Sequence, residues 1–534
     1  DRPALSRPVA VMAVGTTLSR LTGLGRMVAL VFALGVAESR LADTYNIANT
    51  LPNVIYELVL GGVLTSVFIP VLVQELRTRE HDDAWEAASS LVSTSLAVLV
   101  ALSAVTVVVA PWIVGLFSSR LSGAEAATQR DLATFFLRFF ALQVAFYGYA
   151  AIAGALLNAY DRFAVPMFAP ILNNAVVIAT FLVFAAVVSG TPTNASVNAD
   201  LGSKLLLALG TTAGVGAMAA VHWPYVRQLP GRLRLRIDFR HPAVCKLARL
   251  SGWTLLYVVV NQIGLGIALY LANGEQGGPT AYFTAFAFFQ LPYGIVAVSI
   301  MTALLPTLSG QYVAGDTAGF RARTADGLRA TGLLLLPATA AYLVLAKPLI
   351  QTLLERGVAQ GASSALVAEV LQMFAIGLLP FSAFLLFNRA FYARQDTRTP
   401  LLLNVVDNVV TVALDFALFP LMGVAGLALA HSLGYVVATA VAGVLLARRL
   451  GGLGIRHSVR ELGKVTLASG MAALAMVAVV VGAREVTDAG GGRALVQLVA
   501  GVVMGGGVFV LGALALRVQD LAVLLRFVPG RRQR

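Results

Sequence analysis

The chain has 534 residues, 58% hydrophobic and only 12% charged, with a mean hydropathy of +0.81 and a net charge of +13. A water-facing surface needs roughly 25% charged residues, so a soluble globular protein of this length is excluded, and the single cysteine, Cys245, excludes a disulfide framework or a cysteine metal cluster. The positive charge sits in short loops between apolar runs, which is the pattern of membrane topology and not of nucleic-acid binding.

Apolar runs of about 20 residues, the length that crosses the hydrocarbon core of a bilayer, recur along the whole chain. In chain order they predict helices near 8–35, 45–76, 87–117, 131–158, 165–189, 202–226, 241–272, 279–309, 318–347, 365–395, 399–420, 423–448, 459–482 and 493–517. The expected fold is therefore all-α, a polytopic membrane protein of about fourteen transmembrane helices. No cleavable signal peptide is recognised at its start.

Arginine and lysine in alternate loops set the orientation. One set of loops holds Arg77, Arg79, Arg162, Arg227, Arg232, Arg234, Arg236, Arg240, Arg321, Arg323, Arg394, Arg398, Arg448, Arg449, Arg456 and Arg460. That set is expected to face the cytoplasm, together with both chain ends, including the Arg531-Arg532-Gln533-Arg534 tail. The opposite loops carry only scattered cases: Arg40, Arg120, Arg130, Arg356, Arg484 and Arg493. The arginine-rich segment 229–241 reads as a topology determinant, with contact to anionic lipid as the alternative.

An internal repeat is visible. Asn158-Ala-Tyr-Asp161-Arg162-Phe-Ala-Val-Pro166 resembles Ala393-Arg-Gln-Asp396-Thr-Arg398-Thr-Pro400, and Leu51-Pro52 to Ile69-Pro70 resembles Leu291-Pro292 to Leu305-Pro306. The spacing between copies accommodates six helices. An even number per repeat gives parallel repeats, related by an axis along the membrane normal. The expected organisation is an N-terminal lobe at 1–230, a C-terminal lobe at 231–450, and two further helices with a cytoplasmic tail at 451–534.

Three helices carry polar groups in helical register, and such groups in hydrocarbon normally face a cavity or a partner. The first holds Thr16, Ser19, Arg20, Thr22 and Arg26, with no carboxylate within helical reach. Guanidinium groups there suit phosphate oxygens through forked hydrogen bonds, or acidic residues of neighbouring helices. The second holds Asp43, Asn46, Asn49, Asn53 and Glu57 on one stripe, with Pro52 inside the run as a kink and hinge. It reads as a cavity wall or as interhelical hydrogen-bonding glue. The eleventh holds Asn404, Asp407, Asn408, Thr411 and Asp415, oxygen ligands of the kind a hard cation takes, or a protonation site, or a packing face. No P-loop, nucleophile elbow or zinc-protease motif is present.

The run Ser19-Arg20-Leu-Thr-Gly23-Leu-Gly-Arg26, with Asp43 and Leu51-Pro52-Asn53 after it, resembles the MurJ (MviN) family of lipid II flippases. So do Asn158–Pro166 continuing to Phe168-Ala169-Pro170, Leu304-Leu305-Pro306-Thr-Leu-Ser309, and Tyr392-Ala-Arg394-Gln395-Asp396-Thr-Arg-Thr399-Pro400. The likeness covers nearly the whole chain and places it in the wider multidrug/oligosaccharidyl-lipid/polysaccharide exporter superfamily.

The resemblance implies a transporter and not an enzyme, a flippase carrying undecaprenyl-diphosphate-linked peptidoglycan precursor across the cytoplasmic membrane by alternating access. It implies a central cavity lined by Arg20, Arg26 and Asp43, to which Asn49, Asn53 and Glu57 are added as substrate contacts. It implies a C-terminal-lobe cation site that Asn404 and Asn408 match in spacing, with Asp407, Thr411 and Asp415 beside them. No bound cofactor is expected, and Na⁺ or H⁺ coupling or the membrane potential is the expected energy source. The expected partners are the lipid-linked precursor, membrane lipids and cell-wall synthesis proteins. The chain departs from the family pattern at Tyr56, Glu57, Phe286, Ala287 and Gln290, where charged residues are common, so a less positive cavity is expected. Two alternatives are an exporter of another polyprenyl-linked saccharide or drug, and a non-transporting scaffold for cell-wall synthesis.

Overall fold

The computed structural model describes residues 6–57, 68, 71–72, 74–75, 81–452, 455–486 and 491–518. The expected tail at 519–534, Arg77, Arg79, Pro70 and most of the second half of the second span lie outside the described residues. The described residues form helices and short connections, with no strand among them. They fall into two compact units: residues 1–280 with 357–359, and residues 281–356 with 360–534.

The first unit contains α1 (Ser6–Leu34), α2 (Leu41–Tyr56), α3 (His81–Phe117), α4 (Gly123–Phe140), α5 (Leu142–Ala159), α6 (Ala164–Val187), α7 (Asn194–Ala199), α8 (Leu201–Ala220), α9 (Trp223–Val226) and α10 (Pro242–Ala272). Helix α1 packs on α6, α6 on α8, α2 on α4, and α3 on α4, α5 and α10. The α3–α5 seam buries Leu91, Leu99, Val144, Ile152 and Leu156. The other side of α3 leaves Val108, Trp112 and Leu116 exposed at one-turn spacing, with Trp112 72% exposed. An apolar stripe facing outward has no place in water; in a bilayer it is the lipid-facing surface. Beneath α2, the Tyr45 ring meets Phe136, Phe140 and Phe181 edge-on, and its hydroxyl pairs with Thr211 Oγ1 at 2.8 Å. That is how a large polar-tipped ring is buried without loss.

The second unit begins within α11 (Gly278–Pro292). It continues through a π-helical turn (Tyr293–Ala297), α12 (Val298–Val313), α13 (Thr317–Leu354), α14 (Gly361–Ile376), α15 (Leu378–Ala393), α16 (Arg398–Leu450), α17 (Ile455–Val486) and α18 (Gly491–Ala515). Helix α13 packs against α14, α17 and α18, and α16 against α14 and α15. The π turn follows Pro292 directly, where the missing N–H and the ring disturb the helical ladder. Helix α16 is 53 residues long but breaks at Gly423, whose φ of 57° and ψ of −140° suit a residue without a Cβ. Its two halves are the expected spans 399–420 and 423–448.

Eleven helical stretches among the described residues are long and apolar enough to cross a bilayer, and twelve if α14 and α15, bent by 45°, form one span. The long α16 supplies two expected spans, and α2 is the described part of another, so the expected fourteen are compatible with the fold.

The repeat appears as two turns of the same design. In one, the amides of Tyr160, Asp161 and Arg162 donate to the carbonyls of Leu157, Asn158 and Leu157; in the other, those of Arg394, Gln395 and Asp396 donate to Phe391, Tyr392 and Phe391. The left-handed residue is Asp161 (φ 58°) in the first and Gln395 (φ 60°) in the second. Asp161 thus corresponds to Gln395, in the register that also pairs Pro166 with Pro400, and backbone handedness defines this turn.

Candidate functional site

The polar face of α1 divides in two. Gly15 lets α6 approach closely, since a Cβ there would lie 2.9 Å from Met167 Cβ, and Asn174 of α6 donates to Thr22 Oγ1 at 3.0 Å and to the Ser19 carbonyl at 3.3 Å. Ser19 and Thr22 therefore belong to the α1–α6 contact, and Thr16 is exposed with its hydroxyl 3.9 Å from the Met167 sulfur. Arg20 and Arg26 remain half-buried, and neither makes an ion pair or hydrogen bond among the described residues. Arg26 lies near enough to the phenols of Tyr45 and Tyr147 to act on them electrostatically. Two guanidinium groups on a membrane-spanning helix without a carboxylate partner are the arrangement that an anionic ligand satisfies.

The stripe on α2 is graded along its length. Asp43 is fully buried, and its carboxylate accepts from Gly277 N at 2.7 Å, Thr280 N at 3.1 Å and Thr280 Oγ1 at 2.7 Å. It is thus anchored to the start of α11. Asn46, also buried, donates to the same Thr280 hydroxyl at 3.1 Å. Around this anchor Arg40 ion-pairs with Glu125 (3.3 Å) and donates to the Asn273 carbonyl, while Asn273 in turn bonds Gln129 and the Phe117 carbonyl. Asn49 and Asn53 are half-buried; Asn53 donates to the Asn49 carbonyl, and Asn49 Oδ1 has no hydrogen-bond partner among the described residues. Glu57 is exposed. Pro52 is buried inside α2. The partners Gly277 and Thr280 were not legible from spacing. Their signal is the Gly-Gly-Pro-Thr run at the mouth of a helix, where an acid is welcome against free N–H groups.

In the second unit, Asn404, Asp407 and Asp415 of α16 are buried, and Asn408 and Thr411 half-buried. Asn408 donates to the Asn404 carbonyl at 2.9 Å. Tyr435, on the second half of α16, bonds the Asp407 carboxyl. Asp407 Oδ1, Thr411 Oγ1 and both Asp415 carboxyl oxygens have no hydrogen-bond partner among the described residues. Gly434 passes over this row: a Cβ there would lie 2.0 Å from Thr411 Oγ1 and 3.0 Å from Asp407 Oδ1. One turn further, His431 sits among Phe286, Phe289, Phe374, Phe381 and Tyr435, with its Nε2 unpartnered among the described residues. Sequence spacing found the five α16 residues but not Tyr435, Gly434 or His431, which return from the far side of the Gly423 break.

A row of buried oxygens with unused lone pairs fits a small hard cation or a proton. Asp407 and Asp415 are eight residues apart, about 12 Å along a helix, so one ion cannot take both carboxyls. No cluster of three or more His, Cys, Asp or Glu side chains able to hold a metal exists among the described residues.

The sequence family described as Lipid II flippase MurJ matches residues 32–499. The chain belongs to the lipid II flippase MurJ family. It is 30% identical over 480 residues to the probable lipid II flippase MurJ of Rhizobium meliloti (strain 1021), covering 89% of this chain and 87% of that protein. It is 30% identical over 432 residues to the lipid II flippase MurJ of Burkholderia cenocepacia, covering 80% and 81%. In three dimensions it is similar to a structure titled lipid II flippase MurJ, inward closed conformation, with a TM-score of 0.75 at 20% identity, covering 96% of this chain and all of that one. It is also similar to an inward-facing multidrug resistance MATE transporter of the MOP superfamily, with a TM-score of 0.65 at 14% identity, covering 81% and 95%. Within this MurJ-family chain, two expected departures have visible packing roles. Tyr56 packs against Tyr147 with the rings tilted (5.8 Å between centroids), and Phe286 joins the aromatic ring around His431.

Proposed function

We propose that this protein moves lipid II, the undecaprenyl-diphosphate-linked peptidoglycan precursor, across the cytoplasmic membrane by alternating access, and that it is a transporter, not an enzyme. The observation that carries the site is the pair Arg20 and Arg26: half-buried guanidinium groups on a spanning helix, with no acidic partner among the described residues. They bind the diphosphate, whose oxygens accept forked hydrogen bonds. Asn49, with its unused Oδ1, Asn53 and Glu57 contact the polar sugar or peptide portion. Asp43 belongs to the same site as a positioning group, holding α2 to the start of α11 while Pro52 gives the helix its bend. The chain lies in the cytoplasmic membrane with both termini on the cytoplasmic side, the side of the arginine-rich loops. Cell-wall synthesis proteins are its natural partners, since lipid II on the outer face is their substrate.

The energy source is an Na⁺ or H⁺ gradient or the membrane potential. The residues that fit the cation are Asp407 and Thr411, or Asp415, through their unpartnered oxygens, with Asn404 and Asn408 one turn earlier. One elementary charge crossing 100 mV is worth about 2.3 kcal/mol, enough to bias a two-state transporter more than tenfold.

The test is depletion of the native protein and rescue by variants, scoring lipid II exposed on the outer leaflet. The Arg20→Ala, Arg26→Ala double variant is expected to reach the membrane and fail to rescue. Full rescue by it removes the phosphate role from α1.

A further inference from the structure

From Arg232 to Arg240, just before α10, charged and apolar residues alternate at every position. Arg232, Arg234, Arg236, Asp238 and Arg240 take the even places, and Leu233, Leu235, Ile237 and Phe239 the odd ones. In an extended chain such alternation puts the two kinds on opposite faces. The segment is held by strapping along α3. The amides of Arg234, Arg236 and Asp238 donate to Ser89 Oγ at 3.0 Å, Ser93 Oγ at 3.1 Å and Thr94 Oγ1 at 3.0 Å, and Ser93 Oγ donates to the Arg234 carbonyl. At its start, Gly231 lies so close to the Trp85 indole that a Cβ there would collide, and Leu233 packs on the buried cluster of α3 and α5. Past Leu233 the apolar residues are uncovered: Leu235 is 89% exposed, Ile237 54% and Phe239 61%.

We propose that this strap binds the headgroups of anionic phospholipids, its three uncovered apolar side chains sinking into the membrane interface while its arginines take the lipid phosphates. The strap lies at the right depth. Thr94 and Ser89 stand about 35 and 42 Å along α3 from Phe117, its other end, at 1.5 Å per residue. The hydrocarbon core is about 30 Å thick and the whole bilayer about 40–45 Å, so the strap runs through the headgroup layer. Its charge is also available. Arg236 is paired with Glu86 at 2.5 Å and lies 4.0 Å from Asp238. The guanidinium groups of Arg232, Arg234 and Arg240 are exposed and make no ion pair or hydrogen bond among the described residues. An anionic leaflet satisfies them, each basic residue at such a surface strengthening binding roughly fivefold. A loop that only sets topology needs arginines, but no apolar residues set between them at every second place. A segment that lies in the interface needs both, one set for the acyl boundary and one for the phosphates. This inference goes beyond the transport reading and does not depend on what Arg20 and Arg26 bind.

The test reads the strap itself in the full chain. The single cysteine is exchanged by Cys245→Ser, which keeps a donor for the Phe239 carbonyl, and Leu235→Cys then carries an environment-sensitive fluorophore. The protein is reconstituted in phosphatidylcholine vesicles with a minor share of phosphatidylglycerol. Quenching is compared when a spin label near the headgroup is carried by the one lipid or by the other. Mole for mole, phosphatidylglycerol is expected to quench at least about fivefold more strongly. Arg232→Gln, Arg234→Gln and Arg240→Gln together should bring the two lipids level and leave the melting temperature in detergent unchanged, since all three side chains are exposed. Ile237→Ser with Phe239→Ser should weaken quenching by both lipids. Inorganic phosphate in solution should not relieve the quenching; if it does, the arginines hold a free anion and the headgroup reading fails. A fluorophore that neither lipid quenches, as a docking surface for another protein would give, overturns the proposal. So does a phosphatidylglycerol preference that survives the three glutamines.

Discussion

Replacing Asp43 separates an anchor from a substrate contact. Its carboxylate receives three hydrogen bonds from Gly277 and Thr280, at 2.7, 3.1 and 2.7 Å, in a fully buried setting. The Thr280 hydroxyl cannot turn to a new acceptor without releasing Asn46, whose amide it accepts. A hydrogen bond to a charged group contributes about 1.5–3 kcal/mol, and each buried N–H left without a partner costs about 1–3 kcal/mol. Asp43→Ala orphans two such amides and is expected to cost about 3–5 kcal/mol. Asp43→Asn keeps one acceptor oxygen for Thr280 but turns an NH2 toward the Gly277 amide, and should cost about 2 kcal/mol. Scanning fluorimetry of the purified protein should rank native above Asn above Ala. Amide exchange at residues 277–280 should accelerate in the same order. If both variants melt like the native protein, exchange normally and still fail to flip lipid II, Asp43 touches substrate and the anchoring argument is wrong.

Gly434→Ala places a methyl 2.0 Å from Thr411 Oγ1, whereas the same change at Gly443 meets nothing closer than 3.4 Å; the first should lose about 1–3 kcal/mol in thermal unfolding and the second almost none. Asp415→Asn removes a carboxyl whose two oxygens are unpartnered among the described residues, so any stabilisation of the native protein by Na⁺ over choline, or by acidification, should flatten in the variant; an unchanged response places the ion elsewhere. At the turn before α16, burial acts to raise the Asp396 carboxyl, but hydrogen bonds from the Thr399 hydroxyl and amide and from Arg449 outweigh it and hold it at about 2. The folded value lies below the unfolded one, so this contribution is complete above about pH 4 and fades as pH falls toward 2. Water screens the site, so it is worth only about 1 kcal/mol, and Arg449→Gln should narrow the difference in melting temperature between pH 5 and pH 2.5.

What the sequence determined by itself was everything that follows from the solvent. A chain in hydrocarbon must satisfy its backbone internally, so apolar length alone marks the helices, and arginine in alternate loops marks their direction. Even the break at Gly423 was legible, since two spans meet there. Polar register along α1, α2 and α16 found Arg20, Arg26 and the row from Asn404 to Asp415, because residues of one helix face are fixed by the 3.6-residue period. What no period contains is the partner across the gap. Only tertiary structure attached Asp43 to an amide more than two hundred residues later, assigned Ser19 and Thr22 to α6 while leaving the arginines free of acids, and brought Tyr435 and Gly434 back over Asp407. It also strapped the segment from Arg234 to Asp238 onto the hydroxyls of α3. Hydrogen bonds and charges act over a few ångströms of space, whatever the length of chain between the groups, so their pairing is decided by packing.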